Sequence, residues 1–117
     1  AGEELLVEVA SEAHWRSVQT REYAAYLELA VAARTDAELE SHFTPAAQQY
    51  DEVWTREMIE AFPNWQRHFD KLKLASDFTL TMHMGLLLHR PVFGEGDRLE
   101  NVRRLTSRVV RSLYEIE

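Results

Sequence analysis

The sequence predicts an all-α fold, a bundle of five to six helices. Three observations carry that expectation. Apolar residues recur every three and four positions through most of the chain, which places them on one face of a 3.6-residue helix, and no segment alternates at the two-residue period of a strand. Proline and glycine fall between those segments, at Pro45, Pro63, Pro91, Gly2, Gly94 and Gly96, with only Gly85 inside one. The chain has 117 residues, 45% hydrophobic and 28% charged, enough for one core without staples, and it holds no cysteine to form any.

The elements follow in order. The first segment, about Glu3 to Ala13, carries Leu5, Leu6, Val9 and Ala13 on one side. The second runs from about His14 to Arg34, with Trp15, Val18, Tyr23, Tyr26, Leu27, Ala30 and Val31 at helical spacing. Thr35 stands as an N-cap with Glu38 three residues on, the capping-box arrangement, and opens a short helix to about Phe43. Thr44-Pro45 restarts the chain as a fourth helix, because proline at the first helical position forfeits no hydrogen bond. Its apolar face is Ala46, Tyr50, Val53, Trp54, Met58, Ala61 and Phe62. A corner at Pro63-Asn64 leads to a fifth helix, about Gln66 to Arg90. That helix is amphipathic through Phe69, Leu72 and Ala75 and apolar nearly all round from Phe78 to Leu88, a pattern that requires cover on several sides. Pro91 to Gly96 reads as a loop, and Asp97 caps a final helix, with Glu100 three residues later.

Charge narrows the classes of function. Formal net charge is −7, whereas a free-standing nucleic-acid binder carries a basic face. Arginine clusters only on the last helix, where Arg104, Arg108 and Arg111 form its solvated side next to Arg103. No apolar run is long enough to span a bilayer, no signal peptide is visible, and the lack of cysteine suits a reducing compartment, so a cytoplasmic location and no membrane partner are expected.

The spacings offer little to catalysis. Of the five histidines (His14, His42, His68, His83, His89), no two are three or four apart, so no helix face presents a pair to a metal. There is no Glu-x-x-His, His-Glu-x-x-His, glycine-rich phosphate loop or nucleophile elbow. No catalytic residue, metal or cofactor is therefore expected; an enzyme using His83 or His42 would need a carboxylate or second histidine converging on it. Tyr23, Tyr26, Trp54, Met58, Phe62, Phe78 and Met82 project from interior faces, either as plain core or as the lining of an apolar ligand pocket in which His83 fixes orientation.

The last helix carries Leu99, Val102, Thr106, Val109, Leu113 and Ile116 at heptad spacing, and Leu105, Val110 and Tyr114 widen the arc. One broad face could pack into the parent core. Alternatively, one edge packs inside and the other meets a second subunit, with Gly85 and Leu88 of the preceding long helix, in a four-helix bundle about a two-fold axis.

Taken together, the segments resemble the C-terminal regulatory domain of the tetracycline-repressor (TetR) family of transcriptional regulators. Tyr26-Leu-Glu-Leu-Ala-Val-Ala-Ala-Arg-Thr-Asp-Ala-Glu-Leu39 is similar to the family's pocket-lining helix and the turn after it. Tyr50-Asp-Glu-Val-Trp54 is similar to the next helix, and Met84-Gly-Leu-Leu-Leu-His89 with its proline loop and closing helix to the dimer-forming pair. The resemblance implies residues 1–12 as the remainder of a connecting helix, residues 13–117 as a ligand-binding and dimerisation domain, and a missing N-terminal helix-turn-helix domain through which alone DNA would be bound. It implies a homodimer of a probable-repressor type and a small hydrophobic effector, bound by Tyr23, Tyr26, Trp54, Met58, Phe62, Phe78, Met82 and His83. The dimer interface would use Gly85, Leu88, Leu99, Val102, Thr106, Val109, Val110 and Leu113. The alternative from another class is a helical protein–protein interaction or scaffold domain without a small-molecule pocket.

Overall fold

The computed structural model describes residues 2–61 and 69–115, with side chains described for 7–60 and 70–113. These residues form six helices and no strand: α1 (Gly2–Ser17), α2 (Arg21–Ala33), α3 (Ala37–Ala61), α4 (Phe69–Leu88), α5 (Arg90–Phe93) and α6 (Asp97–Glu115). The protein is all-α, as its periodicity requires. No helix among the described residues is long and apolar enough to cross a membrane. Phe62, the Pro63-Asn64 corner, the expected helix start at Gln66 and Ile116 lie outside the described residues.

The helices divide into two units, Ala1–Thr20 with Asp70–Glu117, and Arg21–Phe69. In the first, the buried apolar side chains are Trp15, Val18, Ala75, Leu86, Leu99 and Val110, joined by the polar Ser11, His83 and Thr106. In the second, α2 and α3 pack on each other, with Leu27 and Ala33 buried.

Several local expectations are corrected. The first break falls at 18–20, not at Ala13, so α1 runs unbroken past residue 12 and takes His14 and Trp15 with it. Here the amides of Gln19 and Thr20 donate to Arg16 and Ser17 carbonyls at 3.2 Å, the tighter 3₁₀ pattern that closes helices, and the Thr20 hydroxyl donates to Ser17 O at 2.8 Å. The α1 stripe also turns: Val9 is 58% exposed and Ala13 is exposed, while Ser11, Trp15 and Val18 are buried.

At the α2–α3 corner the cap is Asp36, not Thr35. Asp36 Oδ1 accepts the Leu39 amide at 3.1 Å and its carbonyl accepts Glu40 N–H at 2.9 Å, whereas the Thr35 hydroxyl turns back to Ala32 O. The short helix and its restart at Thr44-Pro45 are one continuous helix, α3, with Pro45 inside it. Continuity changes its inner face: Phe43, Ala47, Trp54 and Met58 are half-buried, while Ala46, Tyr50 and Val53 are exposed.

The stretch after Arg90 is not all loop. Arg90–Phe93 makes one helical turn, ended by Gly94, whose φ of 72° suits a residue without a Cβ and whose amide donates to Arg90 O at 2.8 Å. Asp97 does not cap α6 but lies in its first turn: the Gly96 carbonyl accepts the Glu100 amide at 3.1 Å, and the Glu100 carboxylate goes forward to Arg103.

Candidate functional site

Among the described residues, a dense polar constellation lies in the first unit around Trp15. Helix α1 delivers Glu8, Ser11, Glu12, His14 and Trp15; α4 delivers His83; α5 and α6 deliver Arg90, Arg103, Ser107 and Arg111. The indole is 7% exposed. The Arg103 guanidinium lies 5.2 Å from its ring centroid and that of Arg90 5.6 Å, so two cations use the indole π-system. The His83 ring meets it edge-on, with centroids 5.2 Å apart. Arg90 in turn donates to Gln19 Oε1 at 2.7 Å, and Gln19 Nε2 donates to Trp15 O at 2.9 Å, which fixes the end of α1.

Helix α1 docks on α6 through an antiparallel polar ladder. Arg111 pairs with Glu8, the Ser107 hydroxyl donates to Ser11 Oγ at 3.4 Å, and Arg103 donates to Glu12 at 2.7 Å. Arg103 also holds Glu100 at 3.1 Å and 3.2 Å, with its own side chain only 11% exposed. Beside this ladder runs an open polar groove of about 370 Å³. The Arg103 hydrogen bond and charge hold the Glu12 carboxyl below the usual carboxylate range. Arg111 was expected on the solvated face; its pairing with Glu8 brings it half inside, while Arg104 and Arg108 remain exposed.

At the centre, His14 Nδ1 and His83 Nδ1 lie 2.8 Å apart. One ring must donate and the other accept, so both imidazoles are neutral or the pair shares one added proton. His83 is completely buried, and its Nε2 has no hydrogen-bond partner. Burial first, and then the charges of His14 and Arg103, push His83 down to about 3, with Glu12 opposing; burial also lowers His14. The pair can take up a proton only against its surroundings. Among the described residues, no group of three or more His, Asp or Glu side chains could hold a metal ion.

The second unit holds a ring cluster. Tyr23 and Tyr26 stand one turn apart on α2; Phe43 and Tyr50 stand two turns apart on α3. Tyr26 is the shared member, with centroids 5.5 Å from Tyr23, 5.4 Å from Phe43 and 6.5 Å from Tyr50. Burial, and then the neighbouring Tyr26 and Tyr50, push the Tyr23 phenol up to about 12.

The eight expected ligand residues therefore fall into three groups. Tyr23 and Tyr26 join the ring cluster, with Trp54 and Met58 half-buried farther along α3; Phe78, Met82 and His83 belong to the other unit; Phe62 lies outside the described residues. His83 is engaged by His14, a pairing 69 residues apart that no local spacing announces. Phe43 and Tyr50 enter the cluster unforeseen, and in the first unit the whole α1–α6 ladder is unforeseen too.

The expected interface residues are also split. Leu99, Thr106 and Val110 are buried within the single chain and are not free to meet a second copy; Val102 and Leu113 are half-buried. Leu88 and Val109 are exposed, together with Val92 and Leu105. A Cβ at Gly85 would meet nothing within 4 Å, so no close helix approach within the chain requires that glycine.

No protein-family model matches the chain, and no curated protein or solved structure matches it.

Proposed function

We propose that this chain is the ligand-sensing and dimerisation domain of a TetR-like transcriptional regulator, probable-repressor in type. The observation that carries the reading is the order of its three motif strings along an all-helical chain. The Tyr26–Leu39 string falls on a helix and a capped corner, Tyr50–Trp54 on the helix after it, and Met84–His89 at the end of α4, before the proline-containing turn and the closing helix. The effector would be a small hydrophobic molecule, and DNA would be contacted only by a helix-turn-helix domain outside this sequence. Ligand acts in such a regulator by binding one arrangement of the connecting helix better than another. α1 occupies the connecting-helix position in this reading, and its polar docking on α6 supplies the contacts such a change would break.

The exposed Leu88, Val92, Leu105 and Val109 favour self-association, and equally the scaffold alternative, in which these residues bind another protein and no effector exists. Two measurements on the purified chain separate the readings. Sedimentation equilibrium at micromolar concentration should give a dimer, and a thermal-shift screen of small hydrophobic compounds should yield ligands that raise the melting temperature by mass action. A monomer with no stabilising compound in the screen overturns the proposal. A monomer that captures a protein but no compound favours the scaffold.

A further inference from the structure

The negative charge of this chain is not spread evenly. Between Arg21 and Glu60 there are nine acidic residues against three arginines, which accounts for six of the seven net negative charges. That acidic segment is α2 and α3, the two helices that carry the ring cluster. We propose that the α2–α3 unit binds an organic cation with an aromatic or aliphatic body, seated against Tyr23, Tyr26, Phe43 and Tyr50. This names the ligand class of the sensor proposed above and rests on that reading for its biological role, though not for its chemistry.

The geometry supports it in three ways. First, the rings are gathered rather than scattered. Phe43 and Tyr50 share a face of α3 with only Ala47 between them, and Tyr26 reaches both from α2. Tyr50 is 70% exposed, so one wall of the cluster is open to solvent. Second, ring faces carry the negative end of the aromatic quadrupole and attract cations within about 6 Å of the centroid. The same chain already uses this attraction at Trp15 under Arg90 and Arg103 and at Phe93 under Arg98. Third, the surplus of acids raises the local concentration of cations and disfavours anions of the same shape. Tyr23 and Tyr50 both lie beside Tyr26 in this cluster, and phenol oxygens are further acceptors for a positively charged group.

The test is calorimetric titration of the full chain with benzyltrimethylammonium and, separately, with its uncharged isostere neopentylbenzene. The two share shape and apolar area and differ in charge. The cation is expected to bind about 10-fold more tightly than the isostere, the scale of a partly desolvated cation–π contact plus the acidic field. Tyr50→Leu, a change at an exposed position that leaves the fold intact, should remove most of that preference, and Tyr50→Phe should keep it. Tyr26→Leu, checked for helicity by circular dichroism, should remove it as well. Equal affinity for the two probes, or a preference that survives Tyr50→Leu, overturns the cation assignment while leaving a sensor of neutral ligands standing. Binding of neither probe overturns it too, and the sensor reading then depends on the wider compound screen alone.

Discussion

Acid should loosen the first unit through the histidine pair. His83 is completely buried, and its folded value of about 3 lies far below the ordinary 6.5. A group with a depressed cationic pKa contributes stability that is fully present above the unfolded value and is lost as pH falls, because the unfolded chain takes up the proton that the folded chain refuses. Between those two values the loss amounts to about 1.4 kcal/mol per pH unit. Lowering the pH from about 7.5 to about 5 therefore costs the folded state about 2 kcal/mol from His83 alone. His14 acts in the same direction, since burial lowers it too. The Glu12 carboxyl is also lowered, but by attraction to Arg103; its contribution is present above the unfolded value of 4.5 and begins to be lost only below it, so it does not enter this window.

Urea denaturation followed by circular dichroism across this range should show the drop, and hydrogen exchange should localise it to peptides of α1 and α4. His83→Leu should flatten most of the dependence between about pH 7 and pH 5. A wild-type chain whose stability is level across that range, or a variant that falls as steeply as the wild type, would refute the reasoning.

Other substitutions probe the remaining contacts. Arg103→Ala removes the partner of Glu12 and Glu100 and one cation from Trp15, and should destabilise the chain by about 2 kcal/mol in urea titration, with Arg103→Lys recovering part of it. Asp36→Ala should cost about 1 kcal/mol while Thr35→Ala costs only a few tenths, since Asp36 holds the Leu39 amide; the reverse order would restore Thr35 as the cap. Pro45→Ala should stabilise by about 1 kcal/mol or more, because an alanine restores an amide inside α3, and a destabilised variant would mean that a helix starts there. Val109→Glu changes a 40%-exposed position on the surface of the single chain, so folding should survive, and under the proposed dimer reading sedimentation should shift toward monomer.

Helix content was legible in the sequence because it depends on local period. The apolar spacing of α2, α4 and α6 needs no tertiary information, whereas the single turn of α5 inside the expected loop Pro91 to Gly96 is too short to show a period. What escaped depended on competition or on distance. The α1–α2 break has neither glycine nor proline; it is closed by tightened backbone bonds and the Thr20 hydroxyl, and serine and threonine are too common to mark such a site. Thr44-Pro45 is a strong start signal, yet Pro45 sits within a 25-residue helix whose neighbouring turns hold it. The His14–His83 contact joins residues 69 apart and leaves no trace in either local sequence. The ladder did leave one. Glu8, Ser11 and Glu12 repeat at three and four, and Arg103, Ser107 and Arg111 repeat at four, so reading one string against the reverse of the other pairs opposite charges at both ends.

That ladder bears on why α1 docks in one register. A helix turns 100° per residue, so slipping α1 by a single position would carry Glu12 away from Arg103, Glu8 from Arg111 and His14 from His83 together. The same rotation would carry the buried Trp15 and Val18 off their packed face. Among the directional pairs the penalty falls on the buried member: His83, completely buried, would lose its partner at about 1–3 kcal/mol, while the half-exposed Glu8 and Glu12 would turn to water. The arrangement gains little net stability from its exposed pairs, as Glu8 and Glu12 are about half in solvent. Its effect is to make the docked position of α1 sharp while keeping it shallow. In a sensor whose output is the position of that helix, a sharp and shallow minimum lets a modest difference in ligand affinity between two arrangements shift the population decisively.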